Sequence, residues 1–171
     1  MNINIYGSTG IIGSRSLSII KSCFPKLNIN LLCANKNAKK LIKQTFLYSP
    51  KYIYLNDIKK IPFLKKKINS RTTILDKNEL NSYLKESISD LSILAISGYK
   101  SLNYFNLILN NTLSLGLVNK EAVVSSGHLF NNFNKLKRNK IFPLDSEHFS
   151  IYYFLNNSLN FNFQKLTLTT S

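Results

Sequence analysis

Two carboxylates separated by one residue form the sharpest chemical pattern in the sequence. Asp145 and Glu147 lie in the segment Pro-Leu-Asp-Ser-Glu-His at residues 143–148, where a brief strand is expected to give way to a helix. At such a junction both carboxylates can converge on one hard divalent cation, Mg²⁺ or Mn²⁺. Two protein carboxylates leave coordination positions open for substrate oxygens. The alternative is helix capping, with Asp145 as the N-cap and Glu147 in the first turn.

A glycine-rich loop follows the first expected strand directly. The segment Gly7–Gly13 reads Gly-Ser-Thr-Gly-Ile-Ile-Gly and opens an apolar helical stretch. Glycines let a backbone turn sharply and approach a pyrophosphate, while the helix start offers N–H groups to that anion. Its G-x-x-G-x-x-G spacing differs from the commoner G-x-G-x-x-G. A plain strand-to-helix turn is the alternative, but the strand–loop–helix context favours dinucleotide binding.

The residues after the second expected strand indicate which dinucleotide would bind. That strand ends in Cys-Ala-Asn-Lys-Asn at residues 33–37, where an NAD site would place an acid for the ribose 2′-hydroxyl. No acid is present, and Lys36 instead offers a cation for a 2′-phosphate. The segment therefore favours NADP over NAD, unless Lys36 is one more exposed lysine in a lysine-rich chain.

A third polar segment, Asn119-Lys120-Glu121, follows an apolar strand. Ligands of open α/β sheets lie beyond the carboxyl ends of the strands. Lys120 could hold a substrate phosphate or carbonyl oxygen there, and Glu121 could reach the cofactor. Equally, Asn119 could be an N-cap and Glu121 a first-turn acid that favours the helix dipole.

The elements that must position these residues alternate along the chain. We predict a strand over Asn2–Tyr6, a helix over Ile11–Cys23, and within Lys59–Asn69 a helix that begins at or after Pro62. A last strand is predicted over Phe161–Ser171. Alternating strands and helices indicate βαβ units, and hence an α/β fold with a mostly parallel sheet and helices on both faces.

Composition limits the classes of partner. The chain has 171 residues, 44% hydrophobic, and a formal net charge of +15, which suggests an anionic partner. The excess is nearly all scattered lysine, so we expect no nucleic-acid binding. No apolar run reaches the roughly 18 residues of a membrane span, and the strand at Asn2 leaves no room for a leader. We expect a soluble protein, cytoplasmic if bacterial and organellar if from a plastid-bearing organism.

Five segments, in this order, resemble one family. They are Gly7–Gly13, Lys36-Asn37, Ala95–Gly98 (Ala-Ile-Ser-Gly), Val118–Glu121 (Val-Asn-Lys-Glu) and Pro143–His148. The chain is similar in these motifs to the 1-deoxy-D-xylulose 5-phosphate reductoisomerases of the methylerythritol phosphate route to isoprenoids. It departs from the family at Ile11, where a serine is usual.

The resemblance implies a set of site residues. NADPH would be contacted by Gly7, Ser8, Thr9, Gly10, Ile11, Ile12, Asn35, Lys36, Asn37, Asn119 and Glu121. The metal would be bound by Asp145 and Glu147, and the substrate by Lys120, Ser146 and Ser171. Catalytic roles would fall to Lys120, Ser146 and Glu147.

The resemblance also implies a fold and a reaction. Residues 1–140 would form a Rossmann-like NADPH-binding domain, and residues 141–171 would begin an α+β metal- and substrate-binding catalytic domain. With NADPH and Mg²⁺ or Mn²⁺, the family rearranges and reduces 1-deoxy-D-xylulose 5-phosphate to 2-C-methyl-D-erythritol 4-phosphate, usually as a homodimer. A third carboxylate ligand and a lid would lie downstream, so we expect the chain alone to be inactive. The alternatives are a non-catalytic or decayed NADP-binding module and another NADP-dependent dehydrogenase of the same fold.

Overall fold

A computed structural model describes residues 1–68, 71–121, 123–125, 140–157 and Thr167. Within these residues the strands are β1 (Asn2–Tyr6), β2 (Asn28–Ala34), β3 (Tyr52–Leu55), β4 (Thr73–Leu75), β5 (Ser89–Leu94), β6 (Thr112–Leu117) and β7 (Lys140–Pro143). The helices are α1 (Ile11–Cys23), α2 (Ala38–Tyr48), α3 (Ile61–Lys67), α4 (Lys77–Glu86), α5 (Leu102–Asn110), α6 (residues 120–121 and 123–125) and α7 (Ser146–Asn157).

The described strands form one seven-stranded sheet in the order β4-β3-β2-β1-β5-β6-β7. Every neighbouring pair is parallel. The chain winds outward from β1 to β4, crosses back through α4, and then winds outward from β5 to β7. The winding therefore reverses between β1 and β5, and such a switch point opens the crevice in which α/β sheets bind ligands. The predicted Rossmann-like α/β sheet is confirmed.

Helices cover both faces of the sheet. On one face Leu17, Leu41 and Leu64, from α1, α2 and α3, pack with strand residues such as Ile5. On the other face, helices α4 and α5 pack with alternate strand residues such as Leu31. The central strands are buried on both faces: in β1, four successive residues from Ile3 to Tyr6 are buried. The core thus fixes the strands and leaves the loops at their carboxyl ends to carry polar chemistry.

The predicted bounds of β1 and α1 agree with the observed elements. The prediction for α3 was wrong at its start: the helix begins at Ile61, after a 3₁₀ turn at Ile58–Lys60. Pro62 fits inside the first turn because a backbone N–H there has no intrahelical acceptor to lose.

Strand β7 is hydrogen-bonded to β6 in register Leu115↔Ile141 and Leu117↔Pro143. The domain boundary predicted between residues 140 and 141 therefore falls within a strand of this sheet. The strand predicted over residues 161–171 lies outside the described residues. Among the helices that the structure describes, none is long and apolar enough to cross a membrane.

Candidate functional site

The predicted motifs meet at the carboxyl edge of the sheet because they follow parallel strands. The loops there are Gly7–Gly10 after β1, Asn35–Asn37 after β2, Ala95–Gly98 after β5, Val118–Asn119 after β6 and Leu144–Asp145 after β7. From β1 to β7 is three places along the sheet, or roughly 14 Å at about 4.8 Å per strand. That span suits an extended ligand lying across several strand ends.

The glycine loop is packed too tightly for side chains at two of its glycines. Gly7 has φ +86°, and a Cβ there would lie 2.4 Å from the carbonyl oxygen of Ala95. At Gly13, a Cβ would lie 2.4 Å from the carbonyl oxygen of Gly7. The glycine spacing therefore lets the loop pack closely against α1 and against the end of β5.

The outer side of this loop is open to a ligand. Gly10, Ile11 and Ile12 are exposed, with Ile11 at 84% and Ile12 at 36% of their full accessible surface. As at any helix start, the first backbone N–H groups of α1 have no intrahelical acceptor. Backbone N–H groups can bind an anion whatever the side chain at position 11, so Ile11 leaves these donors in place.

Ser8 lies beneath the loop and is fully buried. Its hydroxyl donates to Oε1 of Gln44 on α2 (2.9 Å), and its N–H donates to the carbonyl of Cys33 (2.9 Å). Ser8 was predicted to contact the cofactor, but in this structure its polar groups face the protein. Sequence reasoning missed Gln44, although its position three residues after the buried Leu41 places it on the inner face of α2.

A basic cleft of about 550 Å³ lies between the turn after β2 and the turn after β3. Its lining includes four lysines and one aromatic ring, from Lys36, Lys39, Lys59, Lys60 and Phe63. The Nζ of Lys60 donates to the carbonyl of Lys36 (2.8 Å) and lies 3.4 Å from a carboxylate oxygen of Asp57. The predicted 2′-phosphate ligand, Lys36, therefore stands in a positively charged cleft.

The other two predicted residues of this turn have partners within the protein. The side-chain oxygen of Asn35 accepts from the amide of Asn56 (3.0 Å). The side-chain oxygen of Asn37 accepts from the backbone N–H of Lys40 (3.0 Å) and so caps α2. Both asparagines stiffen the turn that presents Lys36.

Asn119 is buried and braces the loop after β5. Its amide nitrogen lies 2.8 Å from the carbonyl oxygens of Ile96 and Gly98 and from the hydroxyl of Ser101. Because that loop faces Gly7 across the switch point, Asn119 helps to shape the floor of the crevice. Its neighbours Lys120 and Glu121 are exposed at the start of α6.

Lys120 and Glu147 form an ion pair across the ends of β6 and β7. Their Nζ and Oε1 atoms are 2.5 Å apart, and the hydroxyl of Ser146 donates to Oε2 (2.7 Å). The hydrogen bond from Lys120, followed by that from Ser146, lowers the pKa of Glu147 to about 2. The same bond raises the pKa of Lys120. Three residues predicted to act on metal or substrate are thus in direct contact.

The two carboxylate oxygens of Asp145 lie in different surroundings. Its Oδ1 accepts from the backbone N–H of His148 (2.9 Å), which caps α7, and also lies 2.8 Å from Nδ1 of that histidine. Its Oδ2 is buried and has no hydrogen-bond partner among the described residues. A buried carboxylate oxygen without a partner is costly, and a hard cation would satisfy it. The donor set therefore fits a divalent metal through Asp145 Oδ2 and the Glu147 carboxylate.

The predicted metal ligands that the structure describes are Asp145 and Glu147. Across the described ranges, no group of three or more His, Cys, Asp or Glu side chains is placed to hold one ion. The two carboxylates of Asp145 and Glu147 are therefore fewer than the three side chains of such a group. Predicted Ser171 lies outside the described residues.

Comparison with known proteins places this geometry in a family. The sequence profile of the 1-deoxy-D-xylulose 5-phosphate reductoisomerase family matches residues 3–127. The chain is 36% identical over 172 residues to the protein of that name from Pelagibacter ubique (strain HTCC1062), covering 99% of this chain and 44% of the relative. It is 32% identical over 167 residues to the one from Persephonella marina (strain DSM 14350 / EX-H1), covering 98% and 42%.

A solved structure shares the fold. The crystal structure of a DOX-P reductoisomerase in complex with NADPH, fosmidomycin and magnesium superposes with a TM-score of 0.78 at 27% identity. The match covers 90% of this chain and 38% of that one. The chain thus spans less than half the length of the curated relatives and of the solved structure that it matches.

Proposed function

The chain belongs to the 1-deoxy-D-xylulose 5-phosphate reductoisomerase family, and on that premise we propose that it supplies the NADPH site and part of the metal and substrate site of such an enzyme. The reaction is the rearrangement and reduction of 1-deoxy-D-xylulose 5-phosphate to 2-C-methyl-D-erythritol 4-phosphate. One observation carries the proposal: the glycine loop and the Asp145–Glu147 pair lie at the same edge of one parallel sheet.

In this proposal the cofactor lies across the switch point. The N–H groups at the start of α1 would hold the pyrophosphate, and Lys36 in the basic cleft would hold the 2′-phosphate. The rest of the cofactor would be held at the ends of β5 and β6, by the loop that Asn119 braces and by the exposed Glu121. The sheet order places β1 between the basic cleft and the carboxylates, which supports this orientation.

The substrate end is built by three side chains and the metal ligands. Asp145 Oδ2 and the Glu147 carboxylate would hold Mg²⁺ or Mn²⁺. When bound, the cation would act as a Lewis acid and template on the substrate oxygens, and NADPH would supply the hydride. Lys120 would contact a substrate oxygen through its ammonium group, and Ser146 would donate from its hydroxyl. Ser171 remains a predicted substrate ligand.

The organisation around this site is part of the proposal. We place the domain boundary after Pro143, because β7 is hydrogen-bonded into the sheet. The catalytic domain would begin with Leu144 and α7. We propose a homodimer as the assembled form, a phosphorylated sugar as the small-molecule partner, and neither nucleic acid nor membrane as a partner. The proposed location is the cytoplasm in a bacterium or the organelle in a plastid-bearing organism.

A titration of the chain with NADPH and NADH tests the cofactor part directly. We expect NADPH to bind more tightly, because Lys36 and its neighbours add positive charge where the 2′-phosphate would lie. Lys36→Ala should weaken NADPH by roughly tenfold or more, since a charge-assisted hydrogen bond is lost. NADH affinity should stay unchanged.

Lys67→Ala is the matched control, because it removes the same charge from the exposed end of α3 outside the cleft lining. Equal affinity for the two nucleotides, or an equal loss in both variants, would reject Lys36 as the 2′-phosphate ligand. Absence of binding by either nucleotide would reject the cofactor site itself.

A further inference from the structure

Two buried polar side chains join the glycine loop to α2. Ser8 and Gln44 are 36 positions apart and are 0% and 5% exposed. The hydroxyl of Ser8 donates to Oε1 of Gln44 (2.9 Å), and Nε2 of Gln44 donates to the carbonyl oxygen of Ser8 (2.7 Å). The pair is therefore reciprocal: each residue donates one hydrogen bond to the other and accepts one from it. Breaking it would strand polar groups in the core.

The bonds to Gln44 are part of a complete set around Ser8. The carbonyl oxygen of Ser8 also accepts from the hydroxyl of Ser14 (3.0 Å), and its N–H donates to Cys33 at the end of β2. Ser8 is thus held by β2, α1 and α2 together. The next residues, Thr9 and Gly10, lie on the open side of the loop, and their positions follow from that of Ser8.

Gln44 also lies on the helix that begins beside Lys36. Helix α2 starts at Ala38 and is capped by Asn37, seven residues before Gln44. Seven residues span about 10 Å along a helix axis. Since a capped helix moves as a rigid unit, the contact at Gln44 fixes the turn that carries Lys36 relative to the glycine loop.

From this geometry we propose that Gln44 is a positioning residue: it sets the spacing between the pyrophosphate-binding loop and the 2′-phosphate cleft, and so selects for a dinucleotide that reaches both. This inference rests on the proposed NADPH site. Gln44 itself touches no ligand, because its amide is buried and engaged with Ser8. Gln44 therefore affects cofactor binding through the position of the glycine loop.

Thr45 supplies a matched control on the same helix. It is 5% exposed, and its hydroxyl donates to the carbonyl of Leu41 within α2 (2.9 Å). Thr45→Val therefore removes a buried polar group of α2 without changing a contact to the glycine loop. Gln44→Met removes the amide while keeping a side chain of similar length.

The test measures the affinity of each variant for two probes. NADPH engages both the loop and the cleft, whereas adenosine 2′-monophosphate has no pyrophosphate and reports on the cleft alone. We expect Gln44→Met to weaken NADPH by on the order of tenfold, because the loop loses its support. The affinity for adenosine 2′-monophosphate should stay within twofold, and Thr45→Val should leave both affinities within twofold.

Ser8→Ala gives a second route to the same answer if Gln44→Met does not fold, because it removes only the hydroxyl. The double variant should bind NADPH no more weakly than Gln44→Met, since both changes break one contact. Equal loss of both probes in Gln44→Met, or an NADPH affinity no lower than that of Thr45→Val, would overturn the inference while leaving the NADPH site intact. A wild-type chain that binds neither probe would instead reject the proposed function.

Discussion

The ammonium group of Lys120 lies 2.5 Å from Oε1 of Glu147, although the two residues are 27 positions apart in the chain. Lys120 follows β6 and Glu147 follows β7, so the parallel pairing of these two strands creates the contact. The pair neutralises a carboxylate that we propose as a metal ligand. It also holds a proposed substrate-binding cation at the place where the metal would sit. The predictions below separate these roles.

Lys120→Met should raise the pKa of Glu147 in the metal-free protein from about 2 toward the ordinary value of 4.5. The hydrogen bond from Lys120 is the largest cause of the lowered pKa, and Ser146 is the second. Because the folded-state pKa is depressed, the ion pair is fully formed above pH 4.5 and is lost as the pH falls through about 2. Carboxyl NMR across an acid titration measures the shift. Lys100→Met, which removes an exposed charge beside the turn after β5, should leave the pKa of Glu147 unchanged; equal curves for the wild type and Lys120→Met would refute the pairing.

Asp145→Asn should weaken Mn²⁺ binding by on the order of tenfold or more, because a neutral amide replaces a charged oxygen ligand. The cap on α7 should survive, since an asparagine side-chain oxygen also accepts from the His148 N–H. Electron paramagnetic resonance of free Mn²⁺ measures the affinity, and thermal unfolding in chelator checks the fold. Asp90→Asn, which changes a carboxylate bonded to the backbone of Asn2, is the control. Unchanged Mn²⁺ affinity in Asp145→Asn would remove Asp145 from the metal site.

Gly13→Ala should destabilise the chain by about 1–3 kcal/mol, as expected of an overpacked site. The new Cβ would lie 2.4 Å from the carbonyl oxygen of Gly7, so the loop must move. Gly10→Ala should cost less, because its Cβ would lie 3.2 Å from the same atom. Urea unfolding of both variants measures the difference. A larger loss of stability in Gly10→Ala than in Gly13→Ala would show that the loop does not pack closely on α1.

Lys60→Met should reduce the preference for NADPH over NADH by roughly three- to tenfold, in line with the loss of one exposed charge contact and of the bond to the Lys36 carbonyl. The loss should shrink at high salt because exposed charges are screened. Fluorescence titrations at low and high ionic strength provide the measurement, with Lys67→Met as the charge-matched variant. If Lys67→Met lowers the preference as much, the effect belongs to net charge and Lys60 has no specific role.

Local patterns in the sequence predicted the elements that carry the site. The apolar run of β1 and the helical spacing of α1 depend on neighbours a few residues away, so their bounds follow from the sequence. The glycines between them could likewise be identified, because a tight turn and a close approach require that residue type. The order of strands and helices was sufficient to predict a parallel sheet and to place each motif at its carboxyl edge.

The sequence did not show which residues of each motif make contacts inside the protein; the tertiary structure was needed for that. Ser8 belongs to the glycine loop by sequence, but the fold of α2 against that loop turns its hydroxyl inward to Gln44. Asp145 could be a cap or a ligand by sequence. In the structure its Oδ1 caps α7, while its buried Oδ2 has no hydrogen-bond partner among the described residues.

What the sequence determined by itself is therefore the strand–loop–helix units, the family and the residues available for chemistry, because each depends on residue type and local spacing. The tertiary structure alone decided which of those residues are exposed at the strand ends and which brace a loop. The contacts Ser8–Gln44, Lys36–Lys60 and Lys120–Glu147 join residues 24 to 36 positions apart. Such contacts exist only when neighbouring strands pair in register and bring their ends together, and no local pattern encodes them.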